Sequence, residues 1–248
     1  MINGERVTFN MATIPQRENA LIDIVESILP QCDELNIYLN NWKKVPAFLY
    51  HKKINLFISD RELGDLGDVG KFFMVEKQKG YIFTVDDKIL YPSDYVLQMV
   101  NTIELAGRKA AVSCHGRNFH NRASKSYYYD ILDFFPCLLT QPLTFVHEVG
   151  TGVLAFHSDL CTPTLEWFPF SNMTDIYFSL EMQKRSIPML IHPHKKRWLQ
   201  ISTKHDDNYS IHASLNNCDG FQTDQINSIK WKINKCPIGA LQSIISKT

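Results

Sequence analysis

The run Tyr81-Ile82-Phe83-Thr84-Val85 carries no charge and breaks directly into Asp86-Asp87-Lys88. A strand that is apolar on both faces must be covered on both, which is the pattern of central strands in parallel sheets flanked by helices. The N-terminal half has the periodicity to supply that cover. Arg6 to Met11 is β-rich, and after the turn at Pro15 the residues Leu21, Ile24, Val25 and Ile28 follow the i, i+3, i+4, i+7 spacing of a helix face. Glu34 to Leu39 and Ile54 to Ser59 are further apolar runs that end in polar residues. Lys71 to Lys79 predicts a helical stretch. Ser93 is placed to N-cap a helix with core face Val96, Met99, Val100 and Ile103, before Ala110 to Ser113 resumes the sheet. Strand and helix alternate up to about residue 115, which predicts a doubly wound α/β unit.

From His115 to Val149 the periodicity gives way to aromatic, irregular sequence that includes Tyr127-Tyr128-Tyr129 and Phe134-Phe135-Pro136. Gly152 to His157 then reads as a strand, Thr174 to Arg185 as a helix and Pro188 to His192 as a last strand. No helix is expected beyond Lys195 until Gly239 to Ser246, so the C-terminal part is expected to wrap the domain as an arm or lid.

Composition removes several classes of function. Lys plus Arg (26) balance Asp plus Glu (26), leaving no global positive field for nucleic acid or anionic lipid. The six cysteines, Cys32, Cys114, Cys137, Cys161, Cys218 and Cys236, lie too far apart for a zinc or redox motif and read as reduced, mostly buried thiols. The first residues show no apolar signal core, and no uncharged apolar run reaches the roughly 20 residues that span a bilayer. A cytoplasmic protein is expected, with peripheral association at the inner membrane left open.

Two carboxylates directly after a buried strand stand where open α/β sheets place ligands, at the carboxyl ends of strands. There they can hold a divalent cation against a diphosphate and stabilise the charge that grows as it leaves. A solvated turn capping the next helix is the alternative for an isolated Asp pair.

The segment Tyr81-Ile82-Phe83-Thr84-Val85-Asp86-Asp87-Lys88-Ile89-Leu90-Tyr91-Pro92 resembles the metal-binding strand and turn of family-2-like GT-A glycosyltransferases, where the turn reads Asp-Asp-Asp and a Tyr-Pro follows. Similar blocks are Met11-Ala12-Thr13-Ile14-Pro15-Gln16-Arg17, Ile37-Tyr38-Leu39-Asn40 and Asp65-Leu66-Gly67-Asp68-Val69-Gly70-Lys71, and the likeness runs over about residues 6 to 212. It implies a GT-A fold: one doubly wound, mostly parallel mixed sheet flanked by helices, with an irregular C-terminal arm. Residues 1–248 would form a single domain, with a nucleotide-binding half (1–115), an acceptor-binding half (116–194) and the arm (195–248). The implied activity is inverting transfer of a sugar from a nucleotide-sugar donor, a UDP-sugar, to a hydroxyl of a glycan or lipid-linked saccharide in bacterial surface polysaccharide or lipopolysaccharide assembly.

By the same resemblance Ala12, Thr13, Arg17 and Asp60 would contact the nucleoside, and Gly67 and Lys71 would approach the diphosphate or sugar. Asp86, Asp87 and Lys88 would complete the donor site, and Gly150, Thr151 and Gly152 would form the acceptor-side turn. Asp175, in Asn172-Met173-Thr174-Asp175-Ile176, would be the base, because an unactivated hydroxyl is a weak nucleophile at neutral pH. Manganese or magnesium would be held at Asp87 and the Lys88 position, with His205 or His212 as a further ligand. Lys88 stands where the family has its last aspartate, and an ammonium repels a divalent cation. The alternatives are therefore a sugar-nucleotide-binding domain without catalysis and a sugar nucleotidyltransferase, which lacks support because the chain has no Gly-rich N-terminal triphosphate loop. Trp167, Trp198 and Tyr127 to Tyr129 are read as packing residues rather than sites.

Overall fold

The structure, a computed structural model, describes residues 1–204 and 219–239. Its strands are β1 (Val7–Thr13), β2 (Glu34–Leu39), β3 (Ile54–Ile58), β4 (Tyr81–Val85), β5 (Ile89–Leu90), β6 (Ala111–Ser113), β7 (Gly116–Asn118), β8 (Asp133–Phe135), β9 (Thr144–Phe145), β10 (Glu148–Val149), β11 (Val153–His157), β12 (Met189–Ile191) and β13 (Gln200–Ile201). The helices are α1 (Glu18–Ile28), α2 (Tyr95–Leu105), α3 (Thr174–Lys184) and a C-terminal helix, Gly220–Asn227. The central sheet has the order β3-β2-β1-β4-β11-β6-β12-β9. Only β11 and β9 run against the other six strands, so the sheet is mixed and mostly parallel, as expected.

Every residue of β4 is buried, which is what its lack of charge requires. Its odd positions, Tyr81, Phe83 and Val85, join Phe9, Met11 and the α1 and α2 stripes in one core. Ile82 faces the other way, into a second core with Leu154, Phe156 and the α3 residues Ile176, Phe178 and Met182. Phe9 stacks on Phe83 with ring centroids 4.7 Å apart. Each such side chain contributes about 1.5–3 kcal/mol on burial. Register among the first strands is pinned by amides. Asn10, Asn36 and Asn55 stand opposite one another on β1, β2 and β3, and hydrogen bonds run Asn55 to Asn36 (3.0 Å) and Asn36 to Asn10 (3.3 Å). A one-residue slip would leave the buried amides of Asn10 and Asn36 unpaired.

The helix faces expected for α1 and α2 are buried. Helix α2 starts at Tyr95, with Asp94 in the N-cap position rather than Ser93 and no side-chain capping bond. The expected helix over Lys71 to Lys79 is instead two 3-10 turns, Gly67–Phe72 and Val75–Lys77. Gly67 and Gly70 lower helix propensity in the first of them, and its Lys71 is drawn inward to a carboxylate. Helix Gly220–Asn227 is a correction to the expectation of no helix before Gly239. Its buried residues are Gln222, Thr223 and Ile226, so it carries almost no apolar period. The region read as irregular holds a three-stranded sheet, β10-β7-β8. Cys32 and Cys114 are buried, whereas Cys137, Cys161 and Cys236 are half-buried; Cys218 lies outside the described residues. No helix among the described residues is long and apolar enough to cross a membrane.

Candidate active site

The carboxyl ends of β1 and β4 and the turn before β11 open into one cleft of about 1020 Å³. Because β11 runs antiparallel to β4, Gly152 at its start lies beside Asp86 at the end of β4. The two ends are tied by Asp86 N–H to the Gly152 carbonyl (3.0 Å). The buried Tyr91 hydroxyl bridges the same pair, accepting from Asp86 N–H (2.9 Å) and donating to the Gly152 carbonyl (2.6 Å). Hydroxyls from neighbouring strands satisfy the remaining carbonyls of the turn: Thr84 donates to Thr151 (2.6 Å) and Ser113 to Gly150 (2.8 Å). Side chains thus anchor a buried turn whose backbone groups would otherwise be orphaned.

Gly152 has no substitute at this spot. A Cβ there would stand 2.3 Å from Asp86 Cγ. Gly152→Ala is expected to cost about 1–3 kcal/mol by overpacking, measured by urea unfolding. Gly220→Ala, where a Cβ meets nothing within 4 Å, is the control expected to show no such loss.

Three cations converge on the two acids. Lys71, 5% exposed, donates to Asp86 Oδ1 at 2.8 Å. Arg17, 4% exposed, stands with Nε 3.9 Å from Asp87 Oδ1. Lys88 lines the same wall, and among the described residues its ammonium makes no ion pair or hydrogen bond. Burial raises the Asp86 carboxyl, but Lys71 and then Lys88 overcome it and bring it down to about 2. Burial prevails at Asp87, which is raised although Thr13 and Arg17 oppose it. The donor set does not fit a divalent cation: one acid is held by Lys71, the other faces Arg17, and an ammonium takes the third place. Among the described residues no three His, Cys, Asp or Glu side chains are grouped to hold a metal.

Asp175, in the first turn of α3, lines the same cleft. Thr151 donates to its Oδ1 from both N–H (2.7 Å) and hydroxyl (2.6 Å). These bonds fix the carboxylate one residue from Gly152, in the cleft that Asp86 also lines. Asp68 sets the helix itself. Its Oδ2 accepts from the N–H (3.2 Å) and hydroxyl (2.5 Å) of Thr174, and its Oδ1 accepts from Asn172 N–H, so the loop carrying Lys71 also caps α3. Asn40 holds that loop to β2, donating to the Gly67 carbonyl (2.8 Å) and accepting from Leu66 N–H (3.0 Å). Gly67 has φ +55, and a Cβ there would press on Asn172.

The cleft is also lined by His115, Arg117, Tyr127, Tyr128, Tyr129, Phe134 and Gln222. Burial and then Arg117 push the His115 pKa down to about 4, so its ring is neutral at pH 7. The Arg117 guanidinium lies 4.2 Å from the Tyr127 ring centroid and pairs with the buried Glu148 (3.0 Å). Burial pushes Glu148 up from 4.5 to about 7, with Arg117 only partly opposing. Folding therefore favours the protonated acid. This contribution to stability is complete below pH 4.5 and is lost as pH rises through 7. Thermal melts at pH 5 and pH 8 are expected to show a larger decline for the wild type than for Glu148→Gln.

Of the residues singled out from sequence, Ala12, Thr13, Arg17, Gly67, Lys71, Asp86, Asp87, Lys88, Thr151, Gly152 and Asp175 line this one cleft. Gly150 sits just behind it, donating its N–H to the His115 carbonyl (2.8 Å). Asp60 does not join them. In its 3-10 turn it is Ser59 that points inward, to accept from Asn41 N–H, while Asp60 is exposed and 3.8 Å from Lys43. His205 and His212 lie outside the described residues. Trp198 donates to Asp94 (2.9 Å) and packs on Tyr95, and Trp167 packs on Phe178 beneath Arg185, so both are packing residues. Tyr127 to Tyr129, set aside with them, reach the cleft. Asn40, Asp68, Tyr91, His115, Arg117, Glu148 and Gln222 were missed as site residues. The signal for three of them was their place in the family-like blocks: Asn40 closing Ile37-Tyr38-Leu39-Asn40, Tyr91 in the Tyr-Pro after the acidic turn, and Asp68 one turn before Lys71.

No family model matches the chain, and no curated protein matches it. Among solved structures it is similar to S. aureus TarS 1–349 in complex with UDP-GlcNAc, with 11% identity over 77% of this chain and 57% of that chain, TM-score 0.48. A second structure of S. aureus TarS 1–349 gives 11% identity over 77% of this chain and 59% of that chain, TM-score 0.44. The 4-diphosphocytidyl-2C-methyl-D-erythritol synthase of Anaerococcus prevotii gives 14% identity over 89% of this chain and 100% of that chain, TM-score 0.49. The chain thus spans somewhat more than half the length of the TarS structures.

Proposed function

We propose that the protein transfers a sugar from a nucleotide-sugar donor to a hydroxyl of a glycan or lipid-linked saccharide, with inversion at the anomeric carbon. The observation that carries this reading is the Thr151–Gly152 turn, which bonds both to Asp86, in the acidic turn with its cations, and to Asp175, all within one cleft. The nucleoside would lie over Ala12, Thr13 and Arg17, with the diphosphate toward Lys71 and Lys88.

In the reaction so arranged, the acceptor oxygen attacks the anomeric carbon from the Asp175 side as its proton passes to the Asp175 carboxylate. The bond from the anomeric carbon to the diphosphate oxygen breaks, and its electron pair stays on the departing nucleoside diphosphate. Charge growing there is stabilised by cations already in place, which is worth more in a cleft than in bulk water. The resemblance to surface polysaccharide enzymes supports a role in polysaccharide or lipopolysaccharide assembly at the cytoplasmic face of the inner membrane.

Incubation with UDP- and GDP-sugars, followed by measurement of released nucleoside diphosphate, tests the reading. Slow release to water, faster with a saccharide acceptor, is expected for one donor class. Consumption of a nucleoside triphosphate instead would establish a nucleotidyltransferase. Lys88 supports a second reading, a domain that binds a sugar nucleotide without transferring it. Binding without turnover in the wild type, and turnover with manganese in Lys88→Asp, would select that reading.

A further inference from the structure

We infer that the cleft holds the donor's diphosphate with the protein's own cations, Lys88 foremost, so that donor binding needs no divalent metal. This rests on the donor reading above and deepens it.

A metal site gathers an excess of negative charge and oxygen donors free to coordinate. At the end of β4 the oxygen donors are instead already engaged by cations, although Asp68 and Asp175 also act on Lys71. Asp86 is committed to Lys71 at 2.8 Å and Asp87 faces Arg17 at 3.9 Å, and both cations are almost wholly buried. A lysine and an arginine are costly to bury without acids beside them. The two aspartates therefore act as holders that keep Lys71 and Arg17 charged and directed at the cleft floor. Lys88 differs from both. It lines the cleft, follows Asp87 directly, and among the described residues has no hydrogen bond or ion pair to occupy it. Its backbone is fixed by Ser202 N–H donating to the Lys88 carbonyl (2.9 Å), next to the pairing of β5 with β13. An ammonium whose backbone is fixed, and which acts on Asp86 only through space, is suited to a phosphate oxygen as a point charge. At the same position it repels a divalent cation through the low-dielectric wall.

Calorimetric titration of UDP and of GDP into the full chain, once with EDTA and once with manganese, provides the test. The expected result is one nucleotide binding with dissociation constants that agree within about twofold in the two buffers. Lys88→Asp is expected to lose about tenfold or more in EDTA and to recover with manganese. Circular dichroism checks that this variant folds. If it does not, Lys88→Met takes its place, with the loss in EDTA expected and no recovery. Wild-type binding that tightens about tenfold or more with manganese overturns the inference and leaves the donor reading standing. Unchanged affinity of the folded Lys88 variant in EDTA overturns the role of Lys88. Binding of neither nucleotide in either buffer overturns the donor reading, and this inference with it.

Discussion

Asp175→Asn is expected to slow sugar transfer by about 10²–10⁴-fold, the usual contribution of a positioned general base, while leaving the affinity for nucleoside diphosphate unchanged. The substitution isolates the proton step. An amide oxygen can still accept from Thr151 N–H and hydroxyl, so the turn at Gly152 and the wall holding Asp86 stay in place. What the amide cannot do is take a proton from the acceptor. Donor turnover is the readout for rate and nucleotide titration the readout for binding. Loss of both together would mean that Asp175 holds the cleft's shape rather than serving as base.

Lys71→Met is expected to have the largest effect on stability. Breaking a buried ion pair by removing one partner costs about 3–5 kcal/mol. The low end applies here, because Lys71 is buried but the Asp86 side chain is 32% exposed to the cleft. Urea unfolding measures the loss, and Lys71→Arg, which keeps the charge, is expected to recover much of it. The pH dependence gives an independent sign. Asp86 titrates at about 2 in the folded protein, below its ordinary 3.8, chiefly because Lys71 and then Lys88 outweigh its burial. Its contribution to stability is therefore complete above pH 3.8 and is lost as pH falls through 2. The decline between pH 4 and pH 2 is expected to be smaller in Lys71→Met than in the wild type.

What could be read from sequence follows from how local each signal is. The Tyr81–Val85 strand, the α1 and α2 faces and the Asp86–Asp87 turn are contiguous or periodic, and all were legible. Asp175 was legible only through the resemblance of its segment to the acidic opening of the acceptor-side helix, and the structure places it in the first turn of α3. Arg117 and Glu148 are 31 positions apart and become partners only through the pairing of β7 with β10. Asp68 reaches Thr174 across 106 residues, and no spacing along the chain announces that contact. Gln222 arrives on a helix with a single buried apolar residue, Ile226, so its period was invisible. Misreadings had local causes as well. Lys71 to Lys79 has helix-forming residues, but two glycines and the pull of Asp86 on Lys71 shape it into 3-10 turns. Asp60 follows a strand as a nucleotide ligand would, yet its turn points Ser59 inward in its place.

The departure at Lys88 changes what the acidic turn does. Two aspartates followed by a third acid would concentrate negative charge at the end of β4. Here the same two aspartates sit among Lys71, Arg17 and Lys88, and the wall is suited to an anion.

The central claim, that this cleft is the donor site, is tested most directly by a crystal structure of the protein with the nucleoside diphosphate that binds it. The account predicts the diphosphate between Lys71 and Lys88 beside the Asp86–Gly152 contact, with the nucleoside over Ala12, Thr13 and Arg17. A nucleotide bound elsewhere on the molecule, with the cleft empty, would contradict it.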